Sequence, residues 1–491
     1  MNTIAQRSGG ITLKILFIIM ITLIMAPAGA FSEEEIGEKL YKDWCAQCHG
    51  YEGDGKGYAA DGFTMPLPRD FTSGMYKFRT TPSGEAPLDE DIIRSIREGN
   101  HGTSMPPWTR FSDAEVQAIV EHIQGFNEET FEIEGEPFQI GTPPEATPEL
   151  IAKGKEMFEK NKCFECHGKE GRGDGEKGWQ DNFRDDWKNR VYPTNFTQPW
   201  DMRNGADVED IFRSISTGLE GTPMASYSDA IAETDRWALS HFVKSLQLNR
   251  KLGAALSFKK SDTAAASPSD EAWKSADYID LPLGGQLTFG ERLFTPTITN
   301  MRIKGMYTDT EVHVLMEWSD KKPNKGEDGK PSDIVRMQIP VELSDGDAKP
   351  YFMQGDKKHP VNLWTWNAAD NSAIEFNANG QRTDSVKKQG KNDIKGNASY
   401  EDGLYRVVLT RALDTGDKND LSFTPGKFIP ISFQVFDGEH DNRDMKASVS
   451  AWYYVMLEPP MPLKVYIMPP VMALAIIVIG TIIRKKLKAQ A

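Results

Sequence analysis

Cysteine is scarce: four residues in a chain of 491 are far too few for a disulfide scaffold, so whatever they do must lie in their spacing. Positive charge is in deficit, with 57 Lys and Arg against 72 Asp and Glu, for a formal net charge of −15. Setting aside Arg7 and Lys14 at one end and Arg484, Lys485, Lys486 and Lys488 at the other leaves −21 for the stretch between. Such an excess repels nucleic acid and favours basic partners. Long apolar runs occur only at the two ends, which excludes a multi-span membrane protein, and the length is enough for about three domains.

The ends bracket the chain. Residues 1–30 combine a basic flank, an apolar run from Ile15 to Met25, and Ala28-Gly29-Ala30 before an acidic stretch, as a cleaved export signal requires; an uncleaved N-terminal anchor is the rival reading. At the other end, residues 465–483 carry no charge and are followed at once by a basic tail, 484–491. Nineteen residues rise about 28 Å as a helix, enough to cross the hydrocarbon core. A single C-terminal anchor with a cytoplasmic tail is the reading taken, over a buried core helix. It puts the main body in the periplasm.

Between the ends, one order of features occurs twice: a short helix, CxxCH, a Gly-rich turn, a charged helix, GTxM, and a final helix. Cys45 and Cys163 are 118 positions apart, and Met105 and Met224 are 119 apart, the register of a duplicated domain. CxxCH is the attachment signature of c-type haem: two thiols one helical turn apart form thioethers, and the adjacent imidazole reaches the iron. This assigns Cys45, Cys48, Cys163 and Cys166 as covalent anchors of two haems c, with His49 and His167 as proximal ligands. A lone CxxC could be a redox dithiol or half a zinc site, but two copies with the histidine in an exported chain point to haem.

Met105 and Met224, 56 and 57 residues after these histidines, are the distal candidates; Met65 and His101 compete in the first copy. The arrangement resembles class I cytochrome c domains, in which a thioether closes a six-coordinate iron that relays electrons and admits no substrate. Ser112 with Glu115 three residues later predicts a capped final helix running through Val116, Ile119, Val120 and Ile123. His122 and His241, in the two final helices, read as partly exposed helical residues. The Gly-rich turns lack the strand and Lys-Ser/Thr pair of a phosphate loop.

Residues 251–267 read as a linker, and 268–458 as a β-rich domain with alternating runs separated by polar turns, a sandwich. Here IVRMQIPV, PYFMQGDKKHPVNLWTWNA, YRVVLTRAL and FIPISFQVFDGEHDNRDMKASVSAWYYV resemble the haem-binding domain of ethylbenzene dehydrogenase gamma-type subunits, shared with third subunits of related dimethyl-sulfoxide-reductase-family enzymes, among them nitrate reductases and nitrite oxidoreductases. The resemblance implies a non-covalent haem b with methionine and lysine ligands, carried over here to Met353 and Lys446. Met316, on a strand, is the competing methionine, and Trp364 and Trp366 suit a haem wall or a sandwich core equally. The small soluble gamma subunits lack the two preceding cytochrome domains and the anchor.

The expected fold is thus multidomain: two all-α cytochrome c domains (31–130 and 145–250), a β-sandwich and one transmembrane helix. No nucleophile triad, zinc motif or molybdopterin-scale domain is present, so the chain reads as a non-catalytic electron-transfer subunit. Its expected partners are iron–sulfur and molybdopterin subunits, or alternatively a Rieske protein with cytochrome b, together with a soluble basic cytochrome c-like carrier. Two further readings stay open: a dihaem cytochrome whose sandwich is a haem-free docking module, and a peroxidase-like enzyme with one open iron.

Overall fold

The computed structural model describes residues 32–60, 66–132, 137–288, 292–293, 296–343, 349–381, 383–439, 446–460 and 463–490. The export-signal reading and Met65 therefore lie outside the described residues. The chain forms two compact bodies, Met1–Thr142 with Phe212–Ala232, and Pro143–Ile211 with Glu233–Ala491. Residues 212–232 fall within the expected second cytochrome domain yet cluster with the first body. They are held there by the Arg79–Glu220 ion pair and by Phe138 against Phe212.

Seven helices of eight or more residues occur among the described residues: α1 Glu33–Leu40, α2 Asp89–Glu98, α3 Asp113–Gln124, α4 Pro148–Lys160, α5 Val208–Thr217, α6 Glu233–Ser245 and α7 Leu463–Gln490. Helix α3 opens on the expected reciprocal cap, the Ser112 hydroxyl accepting from the Glu115 N–H and the Glu115 carboxylate from the Ser112 N–H. Thr147 caps α4, with Pro148 at the first helical position, where its missing N–H costs least.

The first and last helices of each repeat cross at a glycine. A Cβ on Gly37 of α1 would sit 2.1 Å from the Ala118 carbonyl oxygen of α3, and one on Gly154 of α4 would sit 2.0 Å from the Ala238 carbonyl oxygen of α6. Only glycine lets two backbones approach so closely. Around the first crossing Tyr41, Phe71, Ile92, Ile96, Phe111, Val116, Ile119 and Val120 form a continuous core.

The C-terminal half is a large mixed sheet of fourteen strands among the described residues: β1 Ala255–Lys260, β2 Tyr278–Pro282, β3 Gly284–Gly285, β4 Asn300–Tyr307, β5 Glu311–Ser319, β6 Ile334–Pro340, β7 Val361–Asn367, β8 Ser372–Ala378, β9 Val386–Lys388, β10 Ile394–Glu401, β11 Leu404–Ala412, β12 Phe428–Phe436, β13 Ser448–Val449 and β14 Tyr453–Leu457. The main path runs β10-β11-β5-β4-β1-β14-β12-β6-β7-β8-β9. Strands β7 and β11 are distant along this path, yet Trp366 of β7 packs edge-on against Tyr405 of β11 at 5.7 Å. The sheet therefore folds over on itself into two facing layers around one apolar core, as a sandwich does.

β1 lies inside the stretch expected to be linker. It pairs in parallel with both β14 and β4, joining the two halves of the path. Its signal in sequence is only Leu256 and Phe258, both buried, among polar and small neighbours. Beyond the sheet, Ile467–Leu487 of α7 is long and apolar enough to cross a bilayer.

Candidate haem sites

The two repeats build the same cage twice. Each CxxCH ends a short helix, Ala46–His49 or Phe164–His167, and the next residue, Gly50 or Gly168, has φ of +80° or +77°, which turns the chain back. The Gly55 N–H then donates to the His49 carbonyl at 2.9 Å and the Gly173 N–H to the His167 carbonyl at 2.8 Å. One phenylalanine per repeat stacks on the imidazole, Phe71 on His49 at 4.7 Å and Phe196 on His167 at 4.2 Å. Nδ1 of His49 lies 3.1 Å from the Arg69 carbonyl, and Nδ1 of His167 lies 3.1 Å from the Thr194 carbonyl.

That contact sets the chemistry. A carbonyl only accepts, so Nδ1 carries the proton, and burial holds both imidazoles below their ordinary pKa, His167 down to about 4. Each ring is then neutral with its lone pair on Nε2, the state of an imidazole that ligates iron. Burial pushes the Cys45 thiol up to about 12 and Cys163 to about 11. Such thiols are protonated, unlike thiolates poised for zinc, and no cysteine belongs to a candidate metal cluster among the described residues. These residues fit covalent c-type haem, which supplies a one-electron iron couple when bound.

Met105 and Met224 occupy matching loops. The Met105 carbonyl accepts from the Asn100 N–H at 3.1 Å, and the Met224 carbonyl accepts from the Leu219 N–H at 2.9 Å. Thr103 and Thr222 hydroxyls accept from the methionine N–H groups at 3.1 and 3.2 Å. Gly99 and Gly218, at φ of +67° and +69°, lie against the loop backbones with no room for a Cβ. Both methionines are half-buried, whereas the competitor His101 is exposed. His122 is half-buried against Tyr41 and Phe126. His241 is buried, contrary to its expected partial exposure, because α6 is covered over most of its circumference.

In the sheet body, Met316 lies in the main apolar core, whereas Met353 is fully buried on the loop between β6 and β7. Lys446 is half-buried, two residues before β13. Trp364 and Trp366 both join the core. Sequence reasoning passed over Arg336 on β6. Burial alone lowers its guanidinium to about 10, and its partners are neutral: Thr365 Oγ1 at 3.1 Å, Gln434 Oε1 at 3.3 Å and, with the Gln354 amide turned so that both its ends find partners, the Gln354 side-chain oxygen at 3.2 Å. Gln354 follows Met353 in the chain, and Gln434 pairs across the sheet with Val449 of β13, three residues beyond Lys446. A half-buried cation with only neutral partners, between the loops of Met353 and Lys446, suits an anionic group such as a haem carboxylate. The donor set fits a haem b.

Three family models match. Residues 32–123 match cbb3-type cytochrome c oxidase subunit III, 151–247 match cytochrome c, and 383–448 match ethylbenzene dehydrogenase. A candidate respiratory nitrate reductase haem subunit of Haloferax mediterranei is 27% identical over 194 residues, 39% of this chain and 68% of the relative. Chlorate reductase subunit gamma of Ideonella dechloratans is 24% identical over 196 residues, 38% of this chain and 78% of the relative. Among solved structures, a chain of the Kuenenia stuttgartiensis reducing HAO-like protein complex is 38% identical, with 45% of this chain and all of that one covered and a TM-score of 0.42. The chain joins cytochrome c domains to an ethylbenzene dehydrogenase gamma-type domain and is homologous to these haem subunits.

Proposed function

From two cytochrome c domains and a gamma-type domain on one chain, we propose a membrane-anchored periplasmic subunit that relays electrons between a redox complex and a soluble carrier. The observation that carries this reading is the twofold recurrence of a CxxCH histidine with Nδ1–H bonded to a carbonyl and Nε2 left for iron. Cys45, Cys48, Cys163 and Cys166 would hold two haems c through thioethers, with His49 and His167 as proximal and Met105 and Met224 as distal ligands. Thioether ligation on the second side leaves no position for substrate, so the chain's role is relay and any catalysis belongs to a partner.

Met353 and Lys446 would hold a third, non-covalent haem b, with Arg336 facing its carboxylates. Homology to nitrate and chlorate reductase subunits supports a molybdenum oxidoreductase with an iron–sulfur subunit as the partner complex. The net charge of −21 between the basic ends supports a basic cytochrome c-like protein as the soluble carrier. Helix α7 would be the anchor, with the basic residues from Arg484 onward on the cytoplasmic side.

The test is haem content of the purified full chain, by pyridine haemochrome spectra before and after acid–acetone extraction. Two covalent haems and one extractable haem support the reading. Two covalent haems with nothing extractable, in protein shown not to have shed cofactor, remove haem b and leave the sheet as a docking module.

A further inference from the structure

Away from the haem sites, three aspartates converge where β5, β6 and β12 end or begin. Asp320 follows β5, Asp333 precedes β6 and Asp437 follows β12, and they are 4%, 0% and 7% exposed. One oxygen from each lies within 4.8 Å of the others. Three carboxylates in so small a buried volume repel one another and have lost their water.

The chain's own donors satisfy part of the cluster. Asp333 accepts from the Gly438 N–H at 2.8 Å, the Asn324 N–H at 2.6 Å and the Tyr405 hydroxyl at 2.9 Å. Asp437 accepts from the Glu439 N–H at 2.8 Å and from the Thr297 hydroxyl. Asp320 Oδ1 accepts from the Lys322 N–H at 3.0 Å, but its Oδ2 is buried without a hydrogen-bond partner. The side-chain oxygen of Asn324, on the same β5–β6 loop, is also buried and unpartnered. The Trp318 indole N–H acts on the charge of Asp320 from outside hydrogen-bond geometry.

The nearby cations are turned elsewhere. Lys321 donates to the Pro193 carbonyl at 3.4 Å and sits 4.6 Å over the Tyr192 ring, exerting only a longer-range pull on Asp437. Lys322 reaches Glu439 at 4.0 Å. The contrast is the other acidic cluster, Glu375, Asp393 and Asp420. There Arg411 lies 4.0 Å from both Glu375 and Asp420, and Lys391 pairs with Asp393 at 2.6 Å. That cluster carries its own neutralising charge.

We propose that Asp320, Asp333, Asp437 and the Asn324 side-chain oxygen hold a divalent cation, and that it is Ca²⁺. Every donor is a hard oxygen and none is a sulfur or an imidazole, which favours calcium over zinc or copper. Carboxylates from the two ends of the β5–β6 loop and from the segment after β12 suit its flexible, high-coordination shell better than the rigid octahedron of Mg²⁺. The site would also brace a functional junction. The loop that supplies Asp320 and Asn324 carries Lys321 to the Pro193 carbonyl, beside Thr194, whose own carbonyl holds His167 Nδ1.

The test uses the purified full chain, stripped with a chelator and titrated with CaCl₂ by calorimetry, with thermal unfolding in chelator and in Ca²⁺. Expected are one Ca²⁺ per chain, a higher Tm in Ca²⁺, and binding weakened at least about tenfold by Asp320→Asn. Asn324→Ala, which keeps all three carboxylates, should weaken binding by a smaller factor and serves if Asp320→Asn does not fold. Glu375→Gln, in the self-neutralised cluster, should leave binding unchanged. No Ca²⁺ uptake by the unsubstituted chain, with equal Tm in chelator and Ca²⁺, would overturn the site. So would uptake insensitive to both Asp320→Asn and Asn324→Ala.

Discussion

The guanidinium of Arg79, 1% exposed, meets the carboxylate of Glu220 at 2.7 Å. Glu220 lies on the loop that leads to Met224, and it also accepts from the Ser83 hydroxyl at 3.0 Å and the Gly84 N–H at 3.1 Å. Arg79 spends its other donors on the carbonyls of Tyr76, Pro82 and Thr217, at 3.2, 3.1 and 3.3 Å. A segment of the first repeat thus grips the methionine loop of the second. That loop supplies the nearest counter-charge of the buried cation, with Asp91 and Glu85 adding weaker attraction.

Removing that counter-charge leaves Arg79 buried without its ion-pair partner. Glu220→Gln should destabilise the chain by about 2–3 kcal/mol, less than a fully buried pair because Glu220 keeps partial water contact. If Met224 is a distal ligand, the same change should weaken the near-infrared methionine-to-iron charge-transfer band of one haem and leave the other intact. Thermal unfolding and the oxidised-state spectrum read the two effects separately.

Distal ligation by Met105 and Met224 makes a sharper prediction. Thioether ligands raise the potential of haem iron. Met105→Ala and Met224→Ala should each lower one potential by about 0.1–0.3 V, within the roughly 0.8 V that axial ligands span. Redox titration of each variant should show one wave displaced and the other in place. A variant with no displaced wave removes its methionine from the ligand set.

The helix crossings give a stability prediction free of any haem assignment. Gly154→Ala would drive a methyl carbon to 2.0 Å from the Ala238 carbonyl and 2.7 Å from the Phe242 Cβ. Since α6 is covered over most of its circumference and buried Met157 and Phe158 hold α4 beside the crossing, separation should cost about 3 kcal/mol or more. Gly125→Ala meets no atom within 4 Å and serves as the control that thermal unfolding should scarcely move.

What could be read ahead of the structure follows from how local each signal is. CxxCH, GTxM and the Ser112–Glu115 cap each sit within a few residues, and their repetition fixed the register of two domains. Gly37 and Gly154 were no less local, but a glycine inside a helix reads as a weakness until its partner helix is known. Arg79 with Glu220, and Asp320 with Asp333 and Asp437, are charged residues of the kind usually solvated. Only long-range folding brings them together and buries them. Strand β1 was missed for a related reason: two buried residues, Leu256 and Phe258, carry a strand whose partners come from β4 and β14.

Haem b separates from haem c by extraction. Met353→Ala and Lys446→Ala should each lose the acid–acetone-extractable haem while both covalent haems persist. Met316→Leu, a volume-conserving change in the apolar core, should keep all three haems and alter stability by less than about 1.5 kcal/mol. Arg336→Gln should retain haem b more weakly, with loss on dilution or gel filtration. Retention of extractable haem by both Met353→Ala and Lys446→Ala rejects the ligand pair.

The three-aspartate cluster predicts how cation-free stability follows pH. Burial, ahead of the pull of neighbouring carboxylates, raises Asp333 to about 7 and Asp320 well above the usual carboxylate range. The groups facing them are Asp437, Tyr400 and Tyr405, with Lys321 acting on Asp437. A carboxyl raised in the folded state holds its proton more tightly there than in the unfolded chain. Its stabilising contribution is complete below about pH 4 and is lost as pH rises through about 7. In chelator, the cluster should therefore lower stability progressively between those limits. A bound divalent cation replaces the lost protons, so the stabilisation by Ca²⁺ should grow over the same interval. Thermal unfolding at pH 5, 6 and 7, with chelator and with Ca²⁺, measures that difference directly. A gap that is flat or shrinks with rising pH shows that the carboxyls are not what the cation engages.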